Sequence, residues 1–231
     1  MKIYGLTKTT LLDYPGRTAC TVFAGNCNFR CIFCHNFELV QNPSKEDLID
    51  EEEIFEFLRK RKNVLQGICI SGGEPTLDPG LRDFMVKVRD IGYEVKLDTN
   101  GYRPEVLEKL FAEGLPDMVA MDIKTDKKRY PIICNVPGLD ISRIEKSVQL
   151  IMESGIDHEF RCTAIEGYLD DEAAVSIGRW LEGAERLYLQ KYEESGYVPG
   201  KGLKACTKEE MERYRDILSG YIKEVSLRGI D

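Results

Sequence analysis

Cys27-Asn28-Phe29-Arg30-Cys31-Ile32-Phe33-Cys34-His35-Asn36 sets three cysteines within eight residues, directly after a compact β-rich run at 18–24. Three thiolates on one tight loop can hold three irons of a four-iron cluster, since cysteine thiolate is the usual ligand of such clusters. The fourth iron is then left without a protein ligand. Catalytic metal sites keep such an open position, whereas structural sites are closed.

Other readings compete for the same residues. Cys31-Ile32-Phe33-Cys34-His35 matches the C-x-x-C-H signal of c-type haem attachment, but haem attachment belongs to exported chains and leaves Cys27 idle. A Cys₃His zinc site fits by composition. However, His35 directly follows Cys34, which makes convergence on one small ion awkward, and no second ligand pair exists. The other five cysteines, Cys20, Cys69, Cys134, Cys162 and Cys206, are scattered and read as small buried hydrophobes.

The chain has 231 residues, 42% hydrophobic and 31% charged, which is the composition of a globular protein able to bury a full core. Its formal charge of −8 argues against general nucleic-acid binding, which needs a basic surface. Nothing approaches the ~18 consecutive apolar residues of a membrane span, and the N-terminus lacks the pattern of a secretory signal. A cytoplasmic location is expected, where clustered cysteines suggest a metal or redox site rather than a disulfide framework.

Outward from the cysteine loop, strand and helix signals alternate. After a polar start, the strand at 18–24 is followed by a helix announced by Asp50 with Glu53 three residues on, carrying Ile54, Phe57, Leu58 and Leu65. A strand at 67–71 precedes a helix capped by Asp78-Pro79 and stopped at Gly92, with Leu81, Phe84, Met85 and Val88 at helical spacing. The strand at 93–98 leads to a helix between Pro104 and Gly114. The strand at 117–123 leads to one capped by Ser142 and Glu145 and stopped at Gly155. The strand at 158–165 precedes a helix at 171–182. The strand at 186–190 precedes a last helix at about 207–224, capped by Thr207 and Glu210.

Six such βα units imply an α/β fold with a parallel sheet and right-handed crossovers, in one domain spanning 1–231 with its core at about 17–190. Six units make an open partial barrel or a doubly wound sheet; a full barrel needs eight. Chemistry is then expected at the carboxyl ends of the strands. The unusual polar motifs fall there: the cysteine loop, then Gly72-Gly73-Glu74-Pro75, then Asp98-Thr99-Asn100-Gly101, then Asp122-Ile123-Lys124.

With C-x₃-C-x₂-C after the first strand and G-G-E-P after the second, the chain resembles the radical S-adenosylmethionine superfamily. The Cys-His-Asn ending, the L-D-T-N-G run at 97–101 and Met121-Asp122-Ile123-Lys124 are similar to the glycyl-radical-enzyme activases. The opening segment, Gly5 to Asn36, is similar to activating proteins of anaerobic ribonucleoside-triphosphate reductase. The likeness covers about residues 5 to 190.

That resemblance implies an open partial (βα)₆ barrel of the radical SAM type, with a [4Fe-4S] cluster on Cys27, Cys31 and Cys34. S-adenosylmethionine would bind the open iron and be cleaved to a 5′-deoxyadenosyl radical, which takes a Cα hydrogen from a glycine of a partner enzyme. Gly72, Gly73 and Glu74 would meet the methionyl ammonium, with glycine allowing close backbone approach and the carboxylate a charge-assisted bond. Asp98, Thr99 and Asp122 match positions that hold a monovalent cation. Lys124 and Arg161 match positions near the cofactor. Phe33 would shield the cluster and pack near the adenine, while His35 and Asn36 orient the loop. No side chain is expected to serve as an acid–base catalyst.

The interval before G-G-E-P contains only Cys69, so one cluster is expected, and no cysteine-rich C-terminal extension suggests a peptide-maturing branch. The implied partners are a glycyl radical enzyme, in first place the anaerobic ribonucleotide reductase, and an electron donor such as flavodoxin or ferredoxin. Arg59-Lys60-Arg61-Lys62 reads as a helix end complementing the dipole, and the loop Lys127-Lys128-Arg129-Tyr130 as a better docking candidate for the donor. Two alternatives remain open: a radical enzyme acting on a small molecule, such as a 7-carboxy-7-deazaguanine synthase-like ring-contraction enzyme, and a non-catalytic metal-binding module.

Overall fold

The computed structural model describes residues 1–41, 43, 48–194 and 198–230. Within them one sheet of eight strands runs in sequence order: β1 (Ile3–Thr10), β2 (Ala19–Ala24), β3 (Gly67–Gly72), β4 (Glu94–Thr99), β5 (Met118–Asp122), β6 (Asp157–Ala164), β7 (Arg186–Lys191) and β8 (Glu224–Arg228). Strands β2 to β8 are parallel, and β1 pairs antiparallel with β2. The sheet does not close, giving the open partial barrel. Among the described residues no helix is long and apolar enough to cross a membrane.

The inner strands read as near-continuous apolar runs because both faces are covered; Ile68, Cys69, Ile70, Val95, Leu97, Val119 and Ala120 are fully buried. The helices that cover them are α1 (Phe37–Gln41), α2 (Glu51–Arg61), α3 (Leu81–Ile91), α4 (Pro104–Ala112), α5 (Tyr130–Ile133), α6 (Ile141–Glu153), α7 (Asp171–Trp180) and α8 (Lys208–Leu218). The apolar stripe of α3, Leu81, Phe84, Met85 and Val88, is buried. On α2 the buried face is Ile54, Phe55 and Leu58, while Phe57 is only half-buried.

The local signals hold in some places and shift in others. Gly92 ends α3 in the left-handed conformation at φ +96°. The capping box at α8 is complete, with Glu210 N–H donating to Thr207 Oγ1 at 3.2 Å and Thr207 N–H donating to Glu210 Oε2 at 2.8 Å. At α2 the Asp50 carboxylate instead accepts from Glu52 N–H. Helix α6 begins one residue before Ser142, because Asp140 accepts from both the N–H and hydroxyl of Ser142. Asp78 does not cap α3. It turns the preceding loop by accepting from Gly80 N–H and ties down the N-terminus by accepting from Lys2 N–H, each at 2.8 Å.

The sheet reaches beyond the expected core at both ends. The polar start is strand β1, and β8 adds a last parallel strand beyond α8. The segment between β7 and α8 also returns to the front of the sheet. Ile165 bridges Ala205, and Gly200 N–H donates to Ile32 O at 2.7 Å, so this segment braces the cysteine loop.

Candidate functional site

The carboxyl ends of β2, β3, β4 and β5 open on a cavity of about 480 Å³. Cys27, Cys31 and Cys34 form one wall. Gly72, Gly73, Asp98, Asp122, Lys124 and Arg161 line the cavity too. Phe33, His35 and Asn36 also face the space, and Thr99 borders it. Among the described residues no three His, Cys, Asp or Glu side chains gather closely enough to hold a metal ion. Three thiols on one loop are a donor set that iron–sulfur clusters use.

Backbone bonds from several directions hold the cysteine loop. Asn26 starts it at φ +59°. Arg30 N–H donates to Cys134 O at 2.9 Å and Ile32 N–H to Ile133 O at 3.1 Å, pinning the middle of the loop to the end of α5. Asn36 Nδ2 donates to Gly72 O at 3.0 Å, joining the loop to the end of β3. Asn100, in the turn after β4, donates through Nδ2 to Asn28 Oδ1 at 2.9 Å and to Cys27 Sγ at 3.6 Å.

The glycine pair is required by this packing. A Cβ on Gly73 would stand 1.9 Å from Asn26 O, and Gly72 has φ +109° with a would-be Cβ 2.4 Å from Ala24 O. Gly73 N–H and Glu74 N–H donate to Ala24 O and Asn26 O, each at 2.8 Å. The G-G-E turn thus seals the start of the cysteine loop.

Glu74 does not face the cavity. It is 1% exposed, and its carboxylate accepts from Thr76 N–H at 3.1 Å, Thr76 Oγ1 at 2.5 Å, Thr99 Oγ1 at 2.9 Å and Asn100 N–H at 2.6 Å. The structure places this carboxylate away from the cavity, where it cross-links the turns after β3 and β4 and leaves the glycine backbone at the cavity. Burial pushes the Glu74 carboxyl above its ordinary range, against these donors.

The charged wall is an interlocked set. Arg161 donates through Nε to Asp122 Oδ1 at 2.9 Å and through a terminal nitrogen to Asp98 Oδ2 at 3.1 Å. Lys124 Nζ lies 2.8 Å from Asp122 Oδ2 and 5.5 Å from the centre of the Phe33 ring. Burial alone would raise Asp98 and Asp122. Arg161 reverses this in both, helped by Lys96 and Lys124 respectively, and holds the carboxyls below their usual range. Thr99 is turned inward to Glu74.

Burial pushes the Cys27 thiol up to about 12, with Glu74 adding to it, and burial also raises Cys34. Cys31 goes the other way, because the Cys134 thiol beside it donates a hydrogen bond. Cys134 is fully buried, as a scattered cysteine is expected to be; it follows α5 in sequence, and only the fold brings it to Cys31. The contacts of Asn28 and Asn100 within their motifs, and the place of Lys96, are not written in the spacing of the motifs. A signal for Lys96 existed: a lysine between Val95 and Leu97, two residues before Asp98, shares the strand face of that carboxylate.

The proposed donor-docking loop is largely engaged within the protein. Lys127 pairs with Glu145, Arg129 with Asp126 and Asp170, and Tyr130 is fully buried, leaving Lys128 exposed. On α2, Arg59 pairs with Glu52 and Lys60 with Glu56, as expected for a solvated helix face.

Comparison with known proteins places this geometry. The model of the radical SAM superfamily matches residues 21–177. A protein of Methanocaldococcus jannaschii described as a glycyl-radical enzyme activating enzyme is 29% identical, over 99% of this chain and 96% of its own. The pyruvate formate-lyase-activating enzyme of Clostridium pasteurianum is 30% identical, over 97% of this chain and 98% of its own. In fold, the chain is similar to a domain of a pyruvate-formate lyase-activating enzyme from Bacteroides vulgatus, with TM-score 0.58 and 21% identity over 71% of this chain and 99% of that one. From the family match and the near end-to-end relatives together, the chain belongs to the radical SAM superfamily, among its glycyl-radical-enzyme activating enzymes.

Proposed function

We propose that Cys27, Cys31 and Cys34 hold the [4Fe-4S] cluster that radical SAM enzymes carry, that the adjoining cavity takes S-adenosylmethionine, and that the glycine attacked belongs to an anaerobic ribonucleoside-triphosphate reductase. The observation that carries the cofactor reading is the cavity itself: three thiols and a set of paired charges line the same space. When bound, the cluster and S-adenosylmethionine supply a one-electron cleavage that yields methionine and a 5′-deoxyadenosyl radical able to remove a glycine Cα hydrogen.

The chain's own residues bind, orient and exclude water. The carbonyl of Gly72 is fixed by Asn36, leaving backbone acceptors for an ammonium group at the glycine turn. Lys124 and Arg161 offer positive charge to a carboxylate or ribose. Phe33, 5% exposed, lines the cavity with the cysteines and carries Lys124 over its ring. Holding the reacting groups at fixed distance supplies effective concentration, and a partner loop must enter the open edge of the barrel to bring its glycine within reach. A cytoplasmic setting with flavodoxin or ferredoxin as electron donor completes the reading.

The reductase is favoured by the segment from Gly5 to Asn36. A second reading, with a pyruvate formate-lyase as partner, is favoured by the Clostridium relative, aligned over 97% of the chain. Anaerobic reconstitution with iron and sulfide, dithionite and S-adenosylmethionine, followed by electron paramagnetic resonance with each partner in turn, decides between them. A glycyl doublet with the reductase alone supports the first reading, and one with the lyase alone supports the second. No doublet with either, together with turnover of a deazapurine precursor, would move the chain to small-molecule chemistry.

A further inference from the structure

We propose that the Lys96 ammonium fills, from within the chain, the role that the activase resemblance gives to a monovalent cation, so that this protein binds S-adenosylmethionine without sodium or potassium. Lys96 stands two residues before Asp98 on β4, so both side chains leave the same face of the strand. Its side chain is 1% exposed, and Nζ lies 2.5 Å from Asp98 Oδ1 and 4.0 Å from Cys69 Sγ. An ammonium carries the unit charge of an alkali ion in a compact form.

The oxygens expected to coordinate an alkali ion are already engaged. Asp98 Oδ2 accepts from Ser71 Oγ at 2.9 Å and from Arg161 at 3.1 Å. Asp122 accepts from Arg161 and Lys124 on its two oxygens. Thr99 Oγ1 donates to Glu74 and accepts from Gly101 N–H. Charge weighs more than occupancy. Asp98 and Asp122 are already paired with three cations, Lys96, Lys124 and Arg161, and the further carboxylate lining the cavity, Asp13, accepts from Thr21 Oγ1 at 2.5 Å. An added alkali ion would bring a fourth positive charge into a site withdrawn from water, where like charges are poorly screened.

Lys96 also explains how Arg161 can serve the cofactor. Arg161 bridges both aspartates. If it turns toward the carboxylate of an incoming amino-acid group, Asp98 keeps its neutralising partner beneath it. The inference rests on the cofactor reading above only for the arrival of that carboxylate.

The test measures the affinity of the reconstituted protein for S-adenosylmethionine by anaerobic equilibrium dialysis in potassium, sodium or choline chloride at one ionic strength. Wild type is expected to bind equally in all three. Lys96→Met is expected to bind about tenfold more weakly in choline than in potassium, the ion then entering the vacated place. Wild-type binding that falls tenfold without alkali ions, or a Lys96→Met protein indifferent to them, overturns the proposal. Absence of binding in every salt would instead overturn the cofactor reading. Should Lys96→Met fail to fold, sodium-23 relaxation on the wild-type protein without cofactor decides. No potassium-displaceable sodium is expected, and a displaceable population lost in Asp98→Asn would overturn the proposal.

Discussion

Asn100 Nδ2 lies 3.6 Å from Cys27 Sγ, so the turn after β4 offers a hydrogen bond to a sulfur of the cysteine loop while also holding Asn28 at 2.9 Å. Hydrogen bonds to cysteine sulfurs stabilise the more negative state of a cluster and raise its potential. Outer contacts of this kind commonly weigh about 10-fold or more on metal affinity. Asn100→Ala is expected to fold, to load iron about 10-fold less tightly, and to shift the cluster potential negative. An anaerobic redox titration followed by electron paramagnetic resonance checks this; an unchanged potential would show that Asn100 only shapes the turn.

Gly73 packs against the backbone at the start of the cysteine loop. A methyl group there must displace Asn26 O, and overpacking of this kind costs about 1–3 kcal/mol. Gly73→Ala is expected to melt lower and to hold less iron after reconstitution. Thermal unfolding of the apoprotein, read beside iron content, separates the two effects.

Glu74 accepts four protein donors. Glu74→Gln keeps the shape but turns one acceptor into a donor, leaving a buried N–H or hydroxyl misdirected at a cost of about 1–3 kcal/mol. The apoprotein should therefore lose stability before any cofactor is added. A Glu74→Gln protein as stable as wild type, yet weak in S-adenosylmethionine binding, would return the carboxylate to the cavity.

Asp170 caps α7 by accepting from Ala173 N–H at 2.8 Å, and pairs with Arg129 at 2.7 Å. Burial opposes its charge, but the Arg129 guanidinium and the helix N–H prevail and hold the carboxyl below its ordinary value. A depressed folded-state value means that the stabilisation is complete above the unfolded value of about 3.9 and lost as pH falls through the folded one. Asp170→Ala should cost about 1 kcal/mol near neutrality, mostly from the cap; the half-exposed ion pair adds little. The gap between variant and wild type should shrink below about pH 4, as urea unfolding at several pH values would reveal.

Strands β2 to β7 were legible because buried parallel strands are continuous apolar runs punctuated by glycine, and because each ends on an unusual polar motif. Strand β1 was not, since only Ile3 of Ile3–Thr10 is buried, and β8 has no fully buried residue. Edge strands lack the burial that writes a pattern into sequence. The cysteine wall, the glycine turn and the aspartates were legible as spacing. What spacing could not give was direction: Glu74 faces inward and Lys96 sits beneath Asp98. Cys134 reaches Cys31 only through α5. The S-x-x-E signal at Ser142 misled by two residues because Asp140 competes for the same N–H groups.

The most direct test is Mössbauer and electron paramagnetic resonance spectroscopy of anaerobically reconstituted protein, with and without S-adenosylmethionine. The account predicts one four-iron cluster per chain, with one iron distinct from the other three and altered by S-adenosylmethionine, and no cluster in Cys31→Ala. A colourless protein holding zinc, or a cluster whose irons all stay alike and blind to S-adenosylmethionine, would contradict it.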